Sequence, residues 1–83
     1  MKTIWKYKVN TIHNAPLGLR VLHVGFDPSS ELCAWCEVNP LNRSAPLEFR
    51  TIGTGQDVPS DMEYAGTARH DIYMWHIYWK HHV

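Results

Sequence analysis

Hydrophobic and polar positions alternate with a period of two along most of this chain, the signature of strands with one buried face. From Thr3 to Val9, Trp5, Tyr7 and Val9 fall on one side, and Ile4, Lys6 and Lys8 on the other. Lysines there can lay their aliphatic stems along the sheet. His13-Asn14-Ala15-Pro16-Leu17-Gly18 reads as a loop punctuated by Pro and Gly. Leu19 to Phe26 is the second predicted strand, with Leu22, Val24 and Phe26 opposite Val21, His23 and Gly25. Asp27-Pro28-Ser29-Ser30 is turn chemistry, and Leu32 to Val38 is a third strand, apolar on both faces. The two strands should form a hairpin. Asn39 to Pro46 reads as a polar loop bracketed by prolines.

Leu47 to Ile52 resumes the alternation and Gly53-Thr54-Gly55 ends it. Gln56 to Glu63 is an acidic, proline-bearing loop, followed by a short fifth strand, Tyr64 to Ala68. His70-Asp71 marks a tight turn. Ile72 to Lys80 would be apolar all round as a helix, and its Ile, Tyr and Trp content favours a strand. That places Tyr73, Trp75, Ile77 and Trp79 on one face, and Ile72, Met74, His76 and Tyr78 on the other. The pattern predicts an all-β fold, a small antiparallel sandwich or barrel of about six strands, as a single domain over residues 1–83.

Charge narrows the partners. Eight Lys and Arg balance eight Asp and Glu, so the chain lacks the basic surface that phosphate-backbone binding needs and the acidic one that mimics DNA. Direct DNA binding is not expected, although Lys2, Lys6 and Lys8 form one candidate basic patch. No stretch approaches the roughly 18–20 apolar residues of a membrane span. Met1-Lys2-Thr3-Ile4-Trp5-Lys6 has no signal-peptide character, so a cytoplasmic location is expected.

Cys33-Ala34-Trp35-Cys36 has redox or zinc spacing, but residues three apart on a strand face opposite ways, which leaves two buried structural thiols. His23, His70, His76, His81 and His82 match no metal-ligand spacing, and no metal or cofactor is expected. The serines lie in turns without a nucleophile elbow. More informative are Ile52-Gly53-Thr54-Gly55 and Ala65-Gly66-Thr67, two Gly-Thr pairs at neighbouring strand ends. Glycine admits close approach of a ligand or another backbone, threonine adds a hydroxyl, and free amides in such a turn cradle anions. The alternative is that both are β-bulges at corners of the sheet. The candidate ligand-binding residues are Gly53, Thr54, Gly55, Tyr64, Gly66, Thr67, Trp75 and His76, with Tyr64 and Trp75 as stacking surfaces for a base.

Thr3-Ile4-Trp5-Lys6-Tyr7, Leu22-His23-Val24 leading into Leu32-Cys33-Ala34-Trp35, Ile52-Gly53-Thr54-Gly55, Tyr64-Ala65-Gly66-Thr67 and Trp75-His76-Ile77 together resemble a family of small uncharacterised bacteriophage and prophage proteins, a domain of unknown function. The family pattern has His after its Gly-Thr-Gly. Gln56 stands here, so no role of a histidine carries over to that position. The resemblance implies a phage setting, inside a host cell, and no established activity.

Three functions follow as expectations. The first is a non-enzymatic binding protein that captures a small nucleotide-like ligand at the Gly-Thr corners, in a counter-defence role. The second is an interaction module that covers a host defence protein with an aromatic face or a sheet edge. The third is a small hydrolase or metalloenzyme using the histidines and the acidic loop. A homo-oligomer, most simply a twofold dimer joined partly through the last strand, is also expected, because that strand has large apolar side chains on both faces.

Overall fold

A computed structural model describes all residues 1–83. Seven strands form two antiparallel sheets: β1 (Thr3–Lys8), β2 (Ile12–Pro16), β3 (Arg20–Phe26), β4 (Leu32–Val38), β5 (Ser44–Gly53), β6 (Glu63–His70) and β7 (Tyr73–His81). One sheet has the order β1-β4-β3 and the other β2-β5-β7-β6. The two sheets face each other as a sandwich. No strand of one hydrogen-bonds into the ladder of the other, so it is not a closed barrel. The fold contains no helix, and hence none long and apolar enough to cross a membrane.

β2 is the strand that alternation does not reveal. The sequence reads as loop from His13 to Gly18, yet Ile12 pairs with Glu48 and Pro16 with Ser44 along β5. It occupies a sheet edge, where proline's missing N–H can face away from the ladder. Its side chains (Ile, His, Asn, Ala, Pro) give no apolar period, so only backbone pairing defines it. The same pairing extends β5 back to Ser44, into the segment expected to be loop.

The core lies between the sheets. Tyr7, Val9, Val24, Ala34, Cys36 and Val38 come from one side of it or its connections, and Leu47, Phe49, Ala68 and Ile77 from the other. Phe49, Leu47 and Ile77 are sealed almost completely, and each large buried side chain contributes about 1.5–3 kcal/mol by leaving water. In β3 the register slips between Val21 and His23, so Val21 turns inward with Val24 and Leu22 is left 39% exposed. Simple alternation put Leu22 on the same face as Val24. The bulge reverses it.

β7 is an inner strand, paired with β5 on one side and β6 on the other. Trp75, Ile77 and Trp79 face the core. Met74, His76 and Tyr78 face outward, where the segment from Thr54 to Val58 borders them.

The two cysteines diverge as strand parity requires. Cys36 sits in the core, and Cys33 lies on the opposite face of β4, its Sγ 3.7 Å from Asp27 Oδ2. Burial pushes the Cys36 thiol from about 9 up to about 12 and raises the neighbouring Tyr7 hydroxyl, which has no hydrogen-bond partner. Both groups ionise more readily in the unfolded chain than in the folded one. The folded state therefore holds more protons at alkaline pH, and stability is lost as pH climbs from about 9 towards 12. Urea titrations across that range should show unfolding free energy falling by up to roughly 1.4 kcal/mol per pH unit for Cys36. Cys36→Ala should have a visibly shallower slope. Equal slopes would contradict the buried-thiol account.

Candidate functional site

The site is built on the outer face of the four-stranded sheet, and a bulge in β6 decides its composition. Tyr64 pairs with Tyr78 and Thr67 with His76, so one extra residue is accommodated around Ala65 and Gly66. Residues three apart normally face opposite ways on a strand. Here the extra residue returns Tyr64 and Thr67 to the same face, because Tyr78 and His76, two apart on β7, share one. The hydroxyls of Tyr64 and Thr67 then lie 2.6 Å apart.

From Thr67 the contacts continue across the sheet. Thr67 Oγ1 is 3.2 Å from His76 Nδ1, and His76 Nε2 is 3.0 Å from Thr54 Oγ1. Four side chains from β6, β7 and the turn after β5 therefore form one hydrogen-bonded row, Tyr64–Thr67–His76–Thr54.

The row ends at a tight turn. The N–H of Gln56 donates to the carbonyl of Gly53 (3.0 Å), and Gly55 adopts φ 92°, a conformation that favours glycine. The Gln56 side chain folds back so that its Oε1 accepts from the Gly53 N–H at 2.7 Å. The Gly53 amide, expected to be free for an anion, is thus occupied by the chain itself. The amides of Thr54 and Gly55 have no partner within the chain.

Two shallow clefts flank this turn. One, of about 250 Å³, is bordered by Ile52, Thr54, Gly55, Val58, His76 and Tyr78; the other, of about 300 Å³, by Gly53, Gln56, Tyr73, Met74 and Trp75. Tyr73 and Trp75 stack with centroids 6.1 Å apart and planes 25° from parallel. A Cβ added at Gly53 would sit 3.2 Å from Gln56 Oε1, so the bare glycine leaves room for the side chain that braces the turn, and the Trp75 ring lies beside it in ordinary contact.

Of the residues singled out from sequence, Thr54, Tyr64, Thr67 and His76 share the row, and Gly53 and Gly55 shape the turn. Trp75 borders the other cleft on the opposite face of β7, so Tyr64 and Trp75 do not form one stacking surface. Gly66 lies outside both clefts. A Cβ there would meet Val24 Cγ2 at 2.4 Å, so its glycine serves the approach of β6 to β3. Gly66 is thus at a bulge, whereas Gly53 is at a strand-end turn. Two residues of the site were missed: Gln56, which braces the turn, and Tyr78, which borders the cleft. Tyr78 follows His76 by two on the same strand, and that parity was a usable signal.

Some of the charged residues around the site are paired, whereas Asp57 and Glu63 have no ion-pair partner. Arg50 Nη2 contacts Glu48 at 2.7 Å, and Lys80 pairs with Asp61 of the acidic loop. These cations hold both carboxyls below their ordinary range. On the other sheet Lys2, Lys6 and Lys8 pair with Glu37, Asp27 and Glu31, which disposes of the candidate basic patch.

The sandwich with a hydroxyl–imidazole row on one outer face defines a small all-β protein class with a polar, uncharged candidate site. The chain belongs to the family described as Domain of unknown function (DUF7352), which matches residues 1–82. No curated protein and no solved structure matches it.

The Gly66 contact yields a direct test. Gly66→Ala should cost about 1–3 kcal/mol in urea denaturation, because the new methyl overlaps Val24. Adding Val24→Ala should recover part of that loss, giving a favourable coupling in a double-mutant cycle. Strictly additive losses would show that Val24 is not the obstacle.

Proposed function

We propose that this protein binds a small nucleotide-like ligand, without catalysis, at the Gly53–Gln56 turn and the clefts on either side of it. The observation that carries the reading is the Tyr64–Thr67–His76–Thr54 row ending where two unpartnered amides meet the cleft beside Tyr78. Polar groups already ordered by one another lose little freedom on binding, and the stacked Tyr73–Trp75 pair across the turn offers a surface for a planar ring. On the phage resemblance, the role of such capture is counter-defence in the host cytoplasm: removal of a signalling nucleotide.

One observation favours a second reading. The β6–β7 hairpin tip leaves Ile72 79%, Tyr73 58% and Met74 43% exposed, an apolar group beside the same turn. Such a surface suits contact with a protein, either a host defence factor or a second copy of the chain. β7 has both its edges paired, so a dimer through this strand would join by side chains of its tip and outer face.

A panel of cyclic dinucleotides and ADP-ribose derivatives in a thermal-shift assay tests the first reading. A ligand at about 100 times its Kd adds about 2.7 kcal/mol, which raises Tm by roughly ten degrees or more in a domain this small. Thr54→Val should abolish most of the shift while leaving the unliganded Tm nearly unchanged, because Thr54 is exposed. No shift with any member, or an undiminished shift in Thr54→Val, would contradict the proposal.

A further inference from the structure

The hydrogen-bonded row has a direction, and the direction states what kind of group the turn receives. Each contact between two neighbouring members holds one proton, each hydroxyl has one to give, and a neutral imidazole has one N–H. A phenol is a stronger donor and a weaker acceptor than an alkyl alcohol, because its ring withdraws the oxygen lone pair. Across the 2.6 Å contact Tyr64 accordingly donates to Thr67. With Tyr64 as the donor at one end two arrangements remain, leaving the spare hydroxyl proton either on part-buried Thr67 or on exposed Thr54, and the second is favoured because water reaches Thr54. Thr67 passes its own proton to His76 Nδ1. His76 then carries its proton on Nε2 and donates it to Thr54 Oγ1.

The Thr54 hydroxyl proton is left without a partner in the row. It joins the unpartnered N–H groups of Thr54 and Gly55 on one turn, beside a cleft that no carboxylate borders. Gln56 adds its amide N–H donors, its Oε1 being turned back to accept from the Gly53 N–H. The turn therefore presents donors. Resting on the binding reading above, we propose that the Thr54–Gly55 turn seats an oxyanion of the ligand, a phosphoryl or carboxylate oxygen, and that Tyr64 and Thr67 are positioning residues that set the His76 tautomer. Backbone and hydroxyl donors at a turn bind such oxygens without a fixed cation. Any planar ring of the same ligand would lie across the turn, against Trp75.

The tautomer is read by long-range proton–nitrogen NMR correlation at about pH 8, where a free imidazole is neutral. The expected form has the proton on Nε2; Nδ1–H would overturn the proposal. Tyr64→Phe alters an exposed residue, and in it the Nδ1–H form should appear; an unchanged tautomer would remove the positioning role. Titration with inorganic phosphate and, separately, with acetate should give saturating amide shifts at Thr54 and Gly55 from at least one, and the stronger of the two identifies the source. In Thr54→Val the affinity should fall about tenfold, the worth of one bond to a charged group. No saturating shift from either anion, or equal affinity in Thr54→Val, would overturn the oxyanion seat. AMP and adenosine separate this inference from the reading beneath it. AMP binding about tenfold tighter supports both, equal binding at the turn defeats the inference alone, and binding of neither defeats both.

Discussion

Two sheets approach most closely where Val24 of β3 fills the space that a side chain at position 66 of β6 would need. Glycine at that position lets the sheets close, and the chain accommodates the approach with one extra residue in β6. That residue changes which side chains share a face. Without it, Thr67 and Tyr64 would point to opposite sides of the sheet. With it, both stand beside His76 and Tyr78, and the row that reaches Thr54 can form. The packing constraint inside the sandwich thus sets the composition of the site outside it. A residue that touches no cleft decides what borders one.

Charge is organised on an equally local scale. Ten of the sixteen Lys, Arg, Asp and Glu side chains stand in neighbouring pairs, the clearest being that of Asp27. Its Oδ1 accepts from the N–H groups of Ser29 and Glu31, both at 2.9 Å, and its Oδ2 contacts Lys6 at 3.0 Å. Those bonds close the turn between β3 and β4 and hold the Asp27 carboxyl below its usual range, the Glu31 amide having the largest effect. The other pairs, exposed on both sides or on one, contribute little to stability. Their consequence is that neither sheet offers a stripe of free cations, and the side chains around Thr54 are neutral hydrogen-bonding groups.

Much of the fold was legible because six of its strands bury one face, and burial writes a period of two into the sequence. β2 wrote none: it lies at an edge, and its Asn14, Ala15 and Pro16 are held by backbone pairing with β5. Of the site, Gly53, Thr54 and Gly55 were visible as turn chemistry, and His76 as a polar residue on an aromatic strand. The link between Tyr64 and Thr67 was hidden, since their odd spacing argues against contact until the bulge is known. The same period misassigned Leu22, for the same reason in β3. Gln56 looked like a departure from the family pattern, yet it braces the turn through the Gly53 amide. Trp75, read from the sequence as a stacking partner of Tyr64, borders the turn on the opposite face of β7.

The central claim is that ligand is held by the turn from Gly53 to Gln56 and by the β7 residues beside it. Amide hydrogen exchange, measured with and without the nucleotide that most stabilises the protein, tests it most directly. The account predicts slowed exchange confined to residues 53–56 and 73–78, with β1, β3 and β4 unchanged apart from the uniform effect of global stabilisation. Protection concentrated in the β1-β4-β3 sheet, or none at the turn while the ligand is bound, would contradict it.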